Sequence, residues 1–573
     1  MNLEAKQQLL AAARGDIPAD LLLTGGKVVN VFNGQIEETS VAIAQGRIVG
    51  FGSYQARSSY NLGGAYLLPG LIEGHIHIES SKLTPPRFGR TVVPHGTTTV
   101  IADPHEIANV KGLDGIRYMI DAARGLPLDI FYMLPSCVPA TDMETAGACL
   151  TAGELKKLLG DPAVLGIGEL MNYPGAYLGD PTLLAKVALA EERLPVDGHS
   201  PGLSGRNLSA YIAAGPGSDH ECVALAEAAE KLARGMRVMI REGSTARNME
   251  ALLPLVTPAT ERRCMLVSDD RRAGDLLAEG HLDHLLRRAV AMGIAPVTAV
   301  RMVTLNAAEA FGLRDRGGIR PGWKADLTAV SDLREFRVSA VWKDGQLAAE
   351  AGESAGVPFL NEPSTKPKPL SAPLLQTNRF FIEDHGGEVR VIDVIPGQIV
   401  TGSSFQRLSS GKRGLLPDAS RNIVKLVVVE RYSGKGGMGL GFARGLGVAG
   451  GALASTVAHD SHNIIAAGAD DASLVTAINR LIELGGGQVA AAGDKILAEL
   501  ALPIAGLMSD REAQEVAALE DGLTAAARSL GSRLDDPFMA LSFLALPVIP
   551  ALKLTDLGLV DVTKFQPVSL YKE

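Results

Sequence analysis

Apolar residues along the chain fall into three textures. Residues 20–66 carry short apolar runs, "DLLLTGGKVVNVF", "ETSVAIAQGRIVGFG" and "AYLLPG", punctuated by Gly and Asn, which predicts β-hairpins. The same texture returns at 319–348, "IRPGWKADLTAVSDLREFRVSAVWKDGQ". These two β-rich pieces flank a long middle section, and one β-sandwich assembled from both is expected. The middle alternates strand-length apolar runs with helical periodicity. Its candidate strands are "PGLIEGHIH", "GTTTVIAD", "DIFYMLP", "VLGIGEL", "LPVDGHS", "GPGSDHE", "RVMIRE" and "CMLVSDD", with helical patterns such as "GLDGIRYMIDAAR" and "LLAKVALAEER" between them. Eight strand–helix units in about 240 residues match the size of a (β/α)8 TIM barrel. "GPGSDHE" is the weakest strand and rests on the need for one between "DGHS" and "RVMIRE".

After residue 350 the texture changes. "NEPSTKPKPLSAP" reads as a Pro/Ser/Lys connector. Beyond it, strands ("GEVRVIDVI", "NIVKLVVVER") mix with a helix ("DDASLVTAINRLIELGG"), an α+β pattern. The expected division is 1–66 for an N-terminal helix and the first part of the sandwich, and 67–310 for the α/β barrel. Residues 311–357 complete the sandwich, 358–376 form a linker, and 377–573 form a C-terminal α+β domain. No internal repeat is evident.

Composition narrows the class. Hydrophobic residues make up 46% and charged ones 21% of the 573, an ordinary soluble balance. A net charge of −9 suggests no polyanionic partner such as nucleic acid. Cys137, Cys149, Cys222 and Cys264 lack CxxC spacing, which argues against a disulfide framework or a thiolate zinc site. The opening "MNLEAKQQLLAAARGDIPAD" reads as an amphipathic helix rather than a secretory leader. "FMALSFLALPVIPAL" is too short to span a bilayer and contains two prolines. A cytoplasmic protein with no membrane partner is expected.

The chemistry-bearing residues gather where strands are predicted to end, the face on which barrels of this kind carry their active sites. "LLPGLIEGHIHIESS" puts His75 and His77 on alternate positions, so both rings face one side. A pair of core histidines and a metal grip both fit that stretch alone. The other strand ends decide between them. They carry Asp103, His105 and Glu106, then Glu169, His199 and His220, then Arg241 and Glu242, and finally Asp269 and Asp270. Four of 11 histidines at these ends, His75, His77, His199 and His220, with the carboxylates Glu169 and Asp269, are hard to explain as core filling. Four imidazoles and two carboxylates suit two divalent ions such as Zn, Mn, Fe or Co. Such a pair supports hydrolytic attack on a C=O or C=N carbon.

The order H-x-H, Glu, His, His, Asp on strands one, four, five, six and eight resembles the amidohydrolase superfamily. More narrowly, "GLIEGHIHIESS", "HGTTTVIADPHEIANV", "GIGELMN", "DGHSPGLSG", "MIREGS", "VSDDR" and "AHDSHNI" are similar to the bacterial adenine deaminase family over nearly the whole chain. The resemblance implies that His75, His77 and Asp269 bind the more buried ion and His199 and His220 the more exposed one. Glu169 would bridge both, replacing the modified lysine of hydantoinases and dihydroorotases. A metal-bridging hydroxide would then attack C6 of adenine while N1 gains a proton. Asp269 would pass the hydroxide proton to the leaving amine, giving hypoxanthine and ammonia. Mn is the ion expected, with Fe or Zn also fitting, and a homodimer is expected. The alternative is a cyclic-amide hydrolase of the dihydroorotase or hydantoinase type.

The remaining candidates stay open. Asp103, Arg241 and Glu242 hold purine nitrogens or form structural ion pairs; His105 is a substrate contact, a support for a ligand or a loop histidine. Asp270 is expected to face away from Asp269 and cap a helix. His281 and His284, in "LLAEGHLDHLLRRAV", are expected to be solvated or helix-packing. "SGKGGMGLGFARGLG" and "LIELGGGQVAAAG" lack phosphate-loop spacing and read as glycine turns. His459 and His462, in "STVAHDSHNI", either pack within the C-terminal domain or fold over the barrel mouth as an accessory site.

Overall fold

The computed structural model describes residues 1–191, 193–355, 370–412 and 414–572. The expected linker 358–376 lies outside the described residues as far as 369. Eight short parallel strands carry the middle of the chain: β1 (Leu71–Ile76), β2 (Thr97–Ala102), β3 (Asp129–Leu134), β4 (Val164–Leu170), β5 (Val196–Gly198), β6 (Ser218–Asp219), β7 (Arg237–Arg241) and β8 (Cys264–Val267). β1 to β5 form one parallel sheet in sequence order and β6 to β8 a second. The two sheets approach each other at both seams. Gly217 N donates to Val196 O at 3.0 Å at the start of β5, and Asp269 N, just past β8, donates to His75 O in β1 at 3.0 Å.

These strands read as continuous apolar runs because every residue of β1, β2 and β8 is buried, as expected for parallel strands covered on both faces. Ile72, Ile101, Met133, Met239, Met265 and Val267 pack together with Phe311 in one cluster. "GPGSDHE" supplies only the two-residue β6, so its weak sequence signal reflects a strand this short.

The run "YLLPGLIEGHI" is two strands. Gly70 divides it: Tyr66–Pro69 pairs antiparallel with Leu327–Val330, whereas Leu71 onward pairs with β2. A side chain at Gly70 would put its Cβ 2.2 Å from Thr98 Oγ1, so only glycine lets the chain cross there.

Tyr66–Pro69 sits in a seven-stranded sheet. Lys27–Val29 and Ile36–Glu38 flank it on one side, and Leu327–Val330, Val338–Lys343, Gln346–Glu350 and Glu353–Ser354 on the other. A four-stranded sheet of Ala19–Thr24, Val41–Ala44, Arg47–Phe51 and Ala56–Asn61 shares its core, with Leu23, Ile43 and Ile48 meeting Leu67, Leu327 and Trp342. The opening helix, Leu3–Arg14, is capped by Asn2, whose side chain accepts from Ala5 N, and buries Leu9 and Ala12.

The C-terminal part is built on an eight-stranded sheet against which helix Asp471–Leu484 packs. Its second long helix, Ala513–Ser529, lies against Ala273–Glu279, the helix after β8. Lys82 pairs with Glu520, and Arg272 with Asp536 at 3.0 Å, across the same contact. The glycine-rich stretches are turns only in part: strand Met438–Arg444 runs through the first, and the second joins the end of helix Asp471–Leu484 to strand Gly487–Ala492 through Gly485 and Gly486. No helix among the described residues is long and apolar enough to cross a membrane.

Candidate metal centre

The centre is assembled on Glu169, near the end of β4. Its Oε1 lies 2.9 Å from His77 Nε2 and 3.2 Å from His75 Nε2, and its Oε2 lies 2.8 Å from His199 Nδ1 and 3.6 Å from His220 Nε2. Asp269 Oδ1 closes the first side, 3.2 Å from His77 Nε2 and 3.5 Å from His75 Nε2. One carboxylate therefore faces two histidine pairs, one with each oxygen. All six side chains are buried, the most exposed being His199 at 7%.

The imidazoles on β1 are aimed from behind. His75 Nδ1 lies 3.1 Å from Asp197 Oδ2, and His77 Nδ1 lies 2.9 Å from the carbonyl of Asp103. Holding Nδ1 in this way fixes the ring and turns Nε2 inward, the usual arrangement behind a metal-ligating histidine. Gly168 makes the third fixing contact feasible: a Cβ there would lie 2.2 Å from Asp103 Oδ2. In its absence Asp103 Oδ2 accepts from Glu169 N at 2.8 Å. Asp269 adopts a left-handed backbone conformation (φ 57°), which aspartate tolerates better than most residues, as the chain turns after β8.

Burial opposes charge throughout this centre. The charge of His220 and hydrogen bonds from His199, His75 and His77 nevertheless hold Glu169 well below the carboxylate range. For Asp269, burial is likewise outweighed, by the charge of Arg241 and bonds from His75 and His77. The same carboxylates, with Asp197, hold His75 above the ordinary histidine range despite burial. His75 Nε2 and Glu169 Oε1 lack a well-formed hydrogen bond although they face each other, as two ligands of one cation do.

The other candidates occupy distinct places. Arg241 donates to Asp269 Oδ2 at 2.9 Å and pairs with Glu221, whose Oε1 is 3.4 Å from His220 Nε2. Glu242 is not brought to the centre; it accepts from Met249 N and pairs with Arg288. His105 lies beside His77, ring centroids 4.4 Å apart, with Nδ1 3.6 Å from Asp103 Oδ1. His459 Nδ1 lies 2.8 Å from Glu106 Oε1, and His462 Nε2 contacts the other oxygen of the same carboxylate. The pair from the C-terminal part thus reaches the first turn of the helix after β2.

Two expectations are corrected. Asp270 caps no helix: its carboxylate accepts from Ser80 Oγ, three residues past His77. The next helix starts at Ala273 with Arg272 as its cap residue. Of the two alternatives for His281, the solvated one falls: the residue is fully buried, 2.7 Å from Thr97 Oγ1 at the start of β2 and 3.2 Å from Glu73 Oε2 within β1. His284 stays partly buried beside Glu279. Sequence reading gave no role to Asp197 or Glu221. A signal existed for each: Asp197 alternates with His199 as His75 does with His77, and Glu221 directly follows His220.

A cavity of about 910 Å³ opens at the opposite ends of β5, β6 and β7, lined by Pro195, Gly217, Arg237 and Phe311. None of the clustered histidines lines it.

Comparison with known proteins places the chain. The family description "Amidohydrolase family" matches residues 66–348, and "Adenine deaminase C-terminal domain" matches 398–566. The adenine deaminase of Desulfatibacillum aliphaticivorans is 50% identical over 567 residues, covering 99% of both chains. The chain belongs to the adenine deaminase family, within the amidohydrolases. Adenine deaminase of Nitratidesulfovibrio vulgaris strain Hildenborough is 49% identical over 97% of each chain. Adenine deaminase 2 of Carboxydothermus hydrogenoformans is 46% identical over 98% of this chain and 99% of its own. Family membership therefore extends over both the histidine-bearing region and the C-terminal part that carries His459 and His462.

Proposed function

We propose that this enzyme hydrolyses adenine to hypoxanthine and ammonia at a binuclear metal centre. Adenine as substrate follows from family membership over the whole chain. The observation that carries the metal reading is the placement of Glu169, one oxygen toward His75 and His77 and the other toward His199 and His220. In this reading His75, His77 and Asp269 would hold one ion and His199 and His220 the other, with Glu169 offering an oxygen to each side. The four-nitrogen, two-carboxylate donor set suits Mn, with Fe and Zn sharing the preference. Two such ions supply a water that ionises near neutral pH and offset negative charge developing at the attacked carbon.

The side chains do the rest. Asp269, its outer oxygen held by Arg241, accepts the proton of the attacking water and delivers it to the departing C6 amine. Arg241 fixes the rotamer in which that transfer is short. His105, Asp103 and the C-terminal segment around His459 and His462 wall the space above, so the purine is enclosed as the amine leaves.

This reading includes a closed (β/α)8 barrel, supported by the hydrogen bonds at both seams between its two parallel sheets. It also includes a β-sandwich of the flanking sheets, supported by their common core. The domain division at 66, 310, 357 and 376 belongs to the same proposal.

The test combines two measurements on one preparation: ammonia release from adenine, and elemental analysis. About two divalent ions per chain, with activity abolished by chelation and restored by Mn, supports the proposal. Full activity in protein free of transition metal overturns it.

A further inference from the structure

The segment Ala458–Asn463 belongs to the C-terminal part but is fastened to two loops of the histidine-bearing region. At one end His459 and His462 grip the two oxygens of Glu106, in the first turn of the helix after β2. At the other, Asn463 Nδ2 donates to the Thr145 carbonyl at 2.7 Å, in the loop after β3. Tyr432 Oη donates to the Ser461 carbonyl between them.

The Glu106, His459 and His462 trio has the composition of a metal site. Its hydrogen bonding points elsewhere. Ala458 N donates to His462 Nδ1 at 3.2 Å, so that nitrogen bears the lone pair and Nε2 bears the proton. An Nε2–H facing Glu106 is a donor and cannot ligate an ion. The trio is a hydrogen-bonded clamp.

What the clamp holds is Asp460. It is 2% exposed, and its Oδ2 has no hydrogen-bond partner. Its Oδ1 lies 3.8 Å from His459 Nδ1, on the clamp, and the clamped Glu106 leads straight to the centre: Glu106 Oε1 is 3.5 Å from His105 Nε2, and His105 Nδ1 is 3.9 Å from Glu169 Oε1. Two further atoms beside Glu169 are buried without a well-formed hydrogen bond, His105 Nδ1 and Asp103 Oδ1, 3.6 Å apart. Buried polar atoms left in this state are costly unless a ligand completes them. A purine held with C6 over Glu169 turns its imidazole ring away from the ions. Free adenine carries an N–H on that ring, and a nucleoside or 9-alkyl purine carries none.

We propose that the clamp of Glu106 by His459 and His462 presents Asp460 to the bound purine, where its carboxylate accepts the imidazole N–H and selects the free base over N9-substituted purines. This rests on the reading of adenine reacting over Glu169 and deepens it. It makes Asp460 a specificity-determining residue contributed by the C-terminal part.

A site built to hydrogen-bond one N–H strongly rejects an analogue lacking it, because its own buried group is left unpaired. The test compares adenine with 9-methyladenine, and the wild-type enzyme with Asp460→Asn, with metal content measured for both. The wild type is expected to prefer adenine by at least about a hundredfold in kcat/KM. Asp460→Asn is expected to lose about tenfold or more on adenine, mainly through KM, while 9-methyladenine is unaffected or improves and ion content is unchanged. Equal losses on both substrates, or lost metal, would reassign Asp460 to a structural role and overturn the proposal. The wild-type comparison needs no variant: comparable use of adenine and 9-methyladenine overturns it alone. A third ion per chain, lost on replacing His459 and His462, overturns the clamp. Wild-type protein that releases no ammonia from adenine refutes the function itself, an outcome distinct from all of these.

Discussion

Asp197 Oδ2 lies 3.1 Å from His75 Nδ1, on the far side of the ring from Glu169. The carboxylate sets the tautomer of His75 and so directs Nε2 to the centre. Asp197 itself accepts from Ser218 Oγ and from Gly198 N at 2.9 Å, which holds it in place. Asp197→Asn keeps the shape and removes the charge. It is expected to weaken binding of the ion on His75 about 10- to 100-fold, the usual effect of losing such a support. Titrating apo-protein with Mn and counting ions by elemental analysis checks this, and an unchanged affinity would separate Asp197 from metal binding.

Asp269 and Asp270 are neighbours with opposite surroundings. Asp269 faces His75 and His77, and Asp270 accepts from Ser80. Asp269→Asn cannot take a proton from water and is expected to lose at least about a hundredfold in kcat on adenine, roughly 2.7 kcal/mol of barrier. Asp270→Asn can still accept from Ser80 and should lose far less. Steady-state kinetics of the two variants decides the matter, and the reverse order would move the catalytic carboxylate to Asp270.

Asp129, at the start of β3, joins the parallel strands to the flanking β-sheet. Its Oδ2 lies 3.0 Å from both Lys324 Nζ and Lys343 Nζ and pairs with Arg316. Burial pushes the carboxyl up, but Lys343, Arg316 and Lys324 outweigh it and hold it well below the carboxylate range. A carboxyl depressed in the folded state contributes stability that is present above its unfolded pKa, about 3.9. That stability is lost as pH falls through the lower folded value. Asp129→Asn leaves three cations facing an uncharged group and is expected to cost about 3–5 kcal/mol at neutral pH. Urea unfolding at pH 7 measures it. Repeating the titration at progressively lower pH should bring variant and wild type together, and a gap that widens with acidity would contradict the assignment.

How much of this was legible in the sequence depends on whether the informative contact is local. His75, His77, Glu169, His199, His220 and Asp269 could be read because each lies at or just past the end of an apolar run, and β1, β2 and β8 are apolar throughout because they are buried on both faces. The split at Gly70 was legible, since "AYLLPG" and "PGLIEGHIH" separate there into a sandwich strand and a barrel strand, but its cause, the approach of Thr98, was not. The polar partners of His281 were not legible, because Thr97 and Glu73 lie about two hundred residues earlier, and the choice between solvated and helix-packing stayed open. Asp270 was read as a cap from its position after a strand, yet the chain continues to Ala273 before a helix forms. The docking of His462 on Glu106 spans 356 residues of sequence, and no local periodicity encodes it.

That docking gives the last prediction. Burial pushes the Glu106 carboxyl up, but the charge of His459 and hydrogen bonds from His105 and His459 hold it well below the carboxylate range. Burial lowers His459, yet Glu106 raises it to about 9, whereas burial prevails at His462 and lowers it to about 4. At neutral pH the clamp is therefore a charged His459 and a neutral His462 on one carboxylate. Replacing both histidines with Ala leaves Glu106 buried without its partners, a cost large enough to release the segment. Asp460 then loses its fixed position while His75, His77, Glu169, His199, His220 and Asp269 keep theirs. The double variant is expected to lose turnover on adenine by about tenfold or more, with two ions per chain retained. Kinetics together with elemental analysis of the same sample checks both halves. Unaltered kinetics in a variant that keeps its metal would leave this segment a purely structural contact.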